Sequence, residues 1–470
     1  MARLWQKRRR RSGALLGVGV ATLALLATTC SGPSGGGEGR SGGGEGRSGG
    51  GEGPRGSESA RGKGGAGARG WGFTHTQYSA DQGTDSGRKA AAALLSGHPM
   101  PQNQHIMGWG AGSPEPSPGH YDFSDLDRRV ALMSKTGTAP VLTLCCAPDW
   151  MKGGEPGRTD WSRKSLETAP TPEHYKDFAA LAGKIARRYP QVRHFIVWNE
   201  FKGFYDDDKK RWNYEGYTRL YNLVYRELKK QNAKNQVGGP YVVADSDAPG
   251  EADGPAAVSG PWGTLDQRSA DAITYWNEHK AGADFAVVDG SSYTREGDRL
   301  IPDAFGATRK FRDVTRWLRK TTGLPVWWAE WYVEPADGDD ERMGWSEERR
   351  TAVQASAMIR LAQGGTAAAF YWNPETTDAD CPGCLWRPTE LDGGGRALPM
   401  MGLLDRFARE FPPGTAFRSV DIAAGDRPNV QVLADDDAVL VVNTLDRPIK
   451  AKIDGRSFGM DGYEVRWLRR

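Results

Sequence analysis

Between Trp71 and about Pro413 the sequence alternates, eight times over, a short apolar run with a longer stretch of helical spacing, and this alternation restricts the chain more than any other feature. Strands are expected near 72–77, 105–109, 140–146, 193–199, 237–243, 284–289, 325–330 and 367–372, most of them preceded by a Gly or Pro break. Apolar residues recur at three- and four-residue spacing most clearly over 173–188, 214–230, 268–280, 302–320 and 346–363. The first helix, in DQGTDSGRKAAAALLSG, is weaker because a Gly stands near its start. Eight strand and helix pairs favour an α/β fold of the closed (β/α)8 type, the TIM barrel, over 71–412. An open doubly wound sheet more often carries a Gly-rich phosphate loop after its first strand, and none is present. After about Pro413 helical periodicity stops. NVQVLAD, AVLVVNT, IKAKIDG and YEVRWLR read as four or five strands of a small β module over 413–470, too short for an independent sandwich and expected to pack on the barrel or borrow a strand.

Ahead of the barrel, the basic cluster Lys7 to Arg11, the apolar run Ala14 to Ala27 and then Cys30 follow the order of a secretory leader, over 1–30. Cys30 resembles the lipidated cysteine of bacterial lipoproteins, although Thr29 is bulkier than the residue usual there. The expectation is export to the outer face of the cell membrane on a lipid anchor, or secretion. Residues 31–70 are Gly-dominated, with GGGEGRS from Gly35 and again from Gly42. This seven-residue period has no apolar seam, so it forms no coiled coil and buries no face. As a flexible coil it reaches roughly 35 Å, which suits a tether. The formal charge of +3 is deceptive, because residues 1–70 hold 12 Lys/Arg and 4 Asp/Glu, leaving 50 against 55 beyond them. An acidic body argues against a nucleic-acid partner.

Two of the expected strands end on a carboxylate: HFIVWNE at Glu200 and PVWWAE at Glu330. In a closed parallel barrel all such ends collect on one face and look into the ligand-binding loops. A single Glu in such a place is more often a helix cap or half of an ion pair. Two of them, with Asn199 beside one, favour a paired role: one carboxyl protonates a leaving glycosidic oxygen while the other opposes the developing oxocarbenium ion.

The runs PSPGHYDFSDLDRRVALM, VLTLCCAPDWMKG, VWNEFKGFY and PVWWAEWYVEP resemble glycoside hydrolase family 39, the group of β-xylosidases and α-L-iduronidases among the retaining (β/α)8 glycosidases. The resemblance covers roughly 71–410. It implies that Glu200 is the acid/base, Glu330 the nucleophile, and Asn199 a hydrogen-bond partner of the sugar hydroxyl beside the reacting carbon. His75 and Tyr293 end the first and sixth strands, where the resembling enzymes commonly touch the sugar or orient the nucleophile, though a lone His or Tyr is more often simply hydrogen-bonded structure.

Trp109, Trp150, Trp331 and Trp372 lie at or just past strand ends and are candidates to stack on sugars, though a Trp there forms the rim of the core about as often. Cys381 and Cys384 form CPGC, and a local disulfide is favoured over zinc or redox chemistry because no His or second Cys pair stands at ligand spacing. Cys145 and Cys146 read as packing, with a vicinal disulfide as the alternative. Asp206 to Asp208 and Asp435 to Asp437 lack calcium-loop spacing and read as solvated turns. The resulting expectation is an exported hydrolase of an oligo- or polysaccharide that needs no cofactor and no metal. A non-catalytic carbohydrate-binding barrel and a transglycosylase are the alternatives, and the loops rather than the fold set the sugar.

Overall fold

The computed structural model describes residues 70–469 except 251–255, 295–299, 334–343, 373, 376–380 and 382. The leader, Cys30 and the Gly-rich tether thus lie outside the described residues. Eight parallel strands close into a barrel in which each strand pairs with its neighbours in chain order. They are β1 (Gly70–Thr74), β2 (Gln102–His105), β3 (Pro140–Leu144), β4 (His194–Val197), β5 (Gln236–Val243), β6 (Phe285–Ser291), β7 (Val326–Tyr332) and β8 (Ala368–Tyr371). The helices α1 (Asp85–Gly97), α2 (Ser124–Thr136), α3 (Tyr175–Arg188), α4 (Tyr214–Gln231), α5 (Gln267–His279), α6 (Arg309–Thr322), α7 (Glu347–Gly364) and α8 (Pro399–Glu410) follow the strands in turn. No helix among the described residues is long and apolar enough to cross a membrane.

The floor of the barrel is filled by Val141, Ile196, Phe285, Val287, Trp327 and Phe370. Trp327 stacks on Phe285 at 3.9 Å and on His194 at 5.7 Å. Gly238 makes room for this stack, since a Cβ there would come within 2.1 Å of the Phe285 ring.

The second strand departs from expectation, lying on Gln102–His105 rather than on the apolar residues 105–109. All four of its side chains are buried although all are polar. Each is tolerated because the barrel supplies partners. Asn103 bridges inward from Thr74 Oγ1 (3.1 Å) to Thr143, whose Oγ1 donates to Asn103 Oδ1 (3.0 Å). Gln102 and Gln104 face outward, Gln102 donating to Thr136 Oγ1 (3.0 Å) and Gln104 accepting from Arg129 Nη1 (2.6 Å), both on α2.

Beyond α8, β9 (Val430–Ala434), β10 (Ala438–Asn443) and β13 (Val465–Arg469) form an antiparallel sheet in the order β9-β10-β13. The hairpin β11 (Ile449–Ile453) and β12 (Arg456–Met460) stands beside it. Leu433, Leu440 and Val442 join the main core, and Val430, Val441, Ala451 and Met460 form a second small one. The module therefore packs on the barrel, against α7. At the end of β3, Cys145 and Cys146 are both buried and joined as a vicinal disulfide, so the reading of this pair as packing alone is corrected. Cys381 and Cys384 are joined to one another in the loop after β8.

The buried Arg129 ties the loop after β1 to α2. Its Nε lies 2.7 Å from Asp81 Oδ1, and its guanidinium also donates to the carbonyls of Thr76 (3.0 Å) and Gln77 (3.2 Å). Without Arg129, Asp81 keeps only the half-exposed Arg128 as a partner (2.9 Å), and the buried Gln104 Oε1 and the Thr76 carbonyl lose their guanidinium donor. Arg129→Leu is therefore expected to destabilise the fold by about 3–5 kcal/mol, read as a lower urea midpoint at unchanged slope.

Candidate active site

Two register slips build the mouth of the barrel. In β5, Pro240 and Val242 pair with the consecutive residues Val287 and Val288, leaving Tyr241 as an extra residue at φ +51°. In β7, Trp328 and Glu330 pair with the consecutive residues Val288 and Asp289. A strict period of two would place Glu330 on the same outward side as Trp328, whose Nε1 donates to Thr315 of α6 (2.9 Å). The bulge turns Glu330 inward instead, where Tyr241 Oη donates to its Oε1 at 2.7 Å. Trp331 then points outward, packing on Tyr371 at 5.1 Å and Phe311 at 6.3 Å.

At the end of β4 the chain turns back sharply, with Trp198, Glu200 and Phe201 at φ +70°, +50° and +53°. Three bulky residues in the left-handed region are strained, and such strain persists only where the surroundings over-determine it. Here they do: Trp198 packs edge-on against Phe178 (5.5 Å) and donates to the Lys202 carbonyl (2.8 Å), while Phe201 stacks on Tyr217 (4.1 Å). The turn leaves Asn199 and Glu200 over the mouth.

Glu200, Asp289 and Glu330 each bring a carboxylate oxygen within 4.8 Å of the others. Lys202 Nζ lies 3.1 Å from Glu200 Oε2, 3.7 Å from Glu167 Oε1 and 5.3 Å from the centre of the Trp109 ring. His105 Nε2 is 3.4 Å from Asn199 Oδ1 and 3.8 Å from Glu330 Oε1. Burial, reinforced by the charge of Glu200, pushes Glu330 up to about 8 despite the Tyr241 hydrogen bond. Asp289 is raised well above the carboxylate range by burial and by both glutamates, and its Oδ1 has no hydrogen-bond partner among the described residues. Burial works most strongly to raise Glu200, but the charge and hydrogen bond of Lys202, with a hydrogen bond from Asp289, together hold this carboxyl below its usual value. Burial lowers His105 to about 4, so its imidazole is neutral near pH 7 and Nε2–H donates to Asn199. The three carboxyls have the spacing to hold a cation, and Lys202 already brings a positive charge to them.

The structure brings Glu200, Glu330, Asn199 and Trp109 together, Trp109 lying half-buried over His105 at 4.5 Å. It turns His75 away: the imidazole is wholly buried between Ser79 Oγ (2.6 Å) and Gln102 Oε1 (2.9 Å), on the outward side of β1. Trp331 faces the helix layer, and Trp150 is tied by Nε1 to the Glu115 carbonyl (2.8 Å) and packs on His174. These three do not reach the carboxyls: His75 and Trp331 leave their strands on the outward face, and Trp150 lies beyond β3 in the short 3-10 helix Asp149–Lys152. Tyr293 is buried, its carbonyl accepting from Ser246 Oγ (3.3 Å) and Lys310 Nζ (3.3 Å). Trp372 is half-buried past β8, its amide bonded to the Trp331 carbonyl (3.1 Å). Asp289, Tyr241, His105 and Lys202 are further members of the site, beyond those the sequence leads one to expect. Asp289 carries the same signal as the two glutamates, an acid ending the apolar run FAVV. Tyr241 carries none, since only the bulge aims it inward.

No family model and no curated protein matches this sequence. The fold is similar to that of a conserved exported protein from Bacteroides fragilis, at 12% identity over 85% of this chain and 95% of that one, with a TM-score of 0.55. It is also similar to a monomeric beta-xylosidase from Caulobacter crescentus CB15 (17% identity, 80% of this chain and 75% of that one, TM-score 0.51). A GH39 enzyme from Xanthomonas axonopodis pv. citri is a third such structure (16%, 80% and 73%, TM-score 0.51). At these identities the likeness is one of fold.

Because Glu330 is raised to about 8 in the folded chain, from an ordinary value of 4.5, the folded state keeps a proton that the unfolded state has lost between those two values. Stability therefore falls as pH rises through that window. Glu330→Gln keeps the acceptor for Tyr241 and removes the titration. It is expected to stabilise the fold by about 2–4 kcal/mol at pH 8 and by almost nothing below pH 4.5, measured as denaturant midpoints across pH.

Proposed function

We propose that this chain is a retaining glycoside hydrolase in which Glu200 and Glu330 act as a pair. The observation that carries the proposal is their separation: carboxylate oxygens from the ends of β4 and β7 stand within 4.8 Å of each other. Inverting enzymes need about 6.5–9.5 Å between carboxyls to seat a water opposite the leaving group, whereas retaining ones use about 5–5.5 Å. So close a pair favours direct attack by one carboxylate. Glu330 attacks the anomeric carbon as the glycosidic C–O bond breaks, and Glu200 gives its proton to the departing oxygen. Glu200 then takes a proton from the water that displaces Glu330. Tyr241 Oη steadies Glu330, His105 orients Asn199, and Asn199 takes the hydroxyl next to the reacting carbon. The resemblance to family 39, together with the beta-xylosidase among the similar structures, makes aryl β-xyloside and α-iduronide the first substrates to try.

One observation favours the reverse assignment of roles. Lys202 holds Glu200 ionised while Glu330 keeps a proton to about pH 8, which would suit Glu330 as the acid and Glu200 as the nucleophile. Either way the pair carries one proton and titrates as a unit.

Single substitutions assayed on an aryl glycoside with a good leaving group separate the two. Glu330→Ala should lose nearly all turnover. Glu200→Ala should still form the glycosyl-enzyme, stall there and recover with azide, yielding a glycosyl azide of retained configuration; on poor leaving groups it should lose about 10²–10⁴-fold. A retained glycosyl azide from Glu330→Ala instead would establish the reversed roles. Full activity in both variants would remove the pair from the chemistry.

A further inference from the structure

On the face of the barrel away from Glu200 and Glu330, a cavity of about 1130 Å³ lies between the starts of β7 and β8, α6, α7 and the C-terminal module. Arg312, Arg316, Arg319, Lys320, Arg360 and Arg418 line it, and no carboxylate is among its lining residues. This concentration stands against the acidic balance of the chain beyond residue 70. Arg312, Arg316 and Arg319 follow one another at four and then three residues along α6, so they share one face of the helix and repel each other.

Ordinary structural duty accounts for part of the cluster. Arg319 and Lys320 stand in the last turn of α6, where cations complement the helix dipole. Arg312 pairs with Asp313 (2.8 Å) and Arg418 with Asp454 (2.9 Å). The rest is not accounted for. Arg316 and Arg319 donate to the backbone carbonyls of Gln363 (3.1 Å) and Gly364 (3.3 Å), and Arg360 donates to Gln363 Oε1 (2.8 Å). These partners satisfy donors without cancelling charge. Among the described residues no carboxylate forms an ion pair with Arg316, Arg319, Lys320 or Arg360, and the buried Nε of Arg360 has no hydrogen-bond partner. Burial first, and then the nearby Arg312 and Arg309, lower Arg360 to about 10 against the opposing pull of Asp313.

We propose that this cavity binds an oligoanion bearing two or more closely spaced phosphate or sulfate groups. Planar guanidinium groups match tetrahedral oxyanions through paired hydrogen bonds, and Lys320 adds a point charge. A single divalent oxyanion would leave roughly half of the four uncompensated cations unneutralised and most of the volume unfilled, so the ligand carries several such groups. The site is independent of the glycosidase reading, because it lies on another face and shares no residue with the mouth.

Tripolyphosphate is the probe, titrated calorimetrically into the full chain, with orthophosphate alongside. Tripolyphosphate is expected to bind at least about tenfold more tightly than orthophosphate, and to weaken steeply as salt is raised. Arg316→Gln with Arg360→Gln should weaken it at least about tenfold, and Arg316→Gln with Lys320→Gln, which touches only exposed side chains, should do the same if the buried change disturbs folding. Lys234→Gln, an exposed charge elsewhere, should leave it unchanged. A flat titration, equal affinity for orthophosphate, or affinity unaltered in both double variants would overturn the proposal.

Discussion

Three carboxyl groups pressed together in the mouth of a barrel set the terms for much of this fold. Two full negative charges at such separation in a poorly solvated site repel strongly, so the group cannot ionise completely. The structure meets this in two ways: Lys202 supplies one positive charge beside Glu200, and protons are retained on Asp289 and Glu330. What results is an unequal set, with one carboxyl held charged and its neighbours held neutral. Such inequality is what acid and nucleophile roles require of two residues that are chemically alike.

The geometry that forces the carboxyls together is itself strained. Tyr241 and Glu330 owe their inward aim to extra residues in β5 and β7, and Glu200 sits on a run of left-handed backbone. The aromatic packing beneath it, Trp198 on Phe178 and Phe201 on Tyr217, opposes the relaxation of that turn. Strain at the mouth is thus supported by burial around it, whereas the floor, with Trp327 stacked between Phe285 and His194, is ordinary dense packing.

How far the sequence discloses this depends on which physical rule is in force. Where strands are apolar and helices amphipathic, hydrophobic spacing locates them, as for β4, β6 and α4. It misplaces β2, because QNQH is buried through hydrogen bonds rather than apolarity, and no periodicity marks a polar strand whose partners are Thr74, Thr143 and Arg129. Glu200 and Glu330 are legible as acids at strand ends, and Asp289 has the same mark. Which way an end residue points is not legible. His75 and Trp331 stand at strand ends as the glutamates do, yet they face the helices, and a single-residue bulge decides the difference in β7.

The central claim is that the close pair performs a double displacement, and the configuration of the first-formed sugar tests it most directly. Proton NMR of the anomeric signals, followed from the start of turnover of an aryl glycoside, should show the product appearing in the configuration of the substrate and only later mutarotating toward equilibrium. Initial appearance of the opposite anomer would contradict the account, because it would mean that water, and not a carboxylate of this pair, attacks the sugar first.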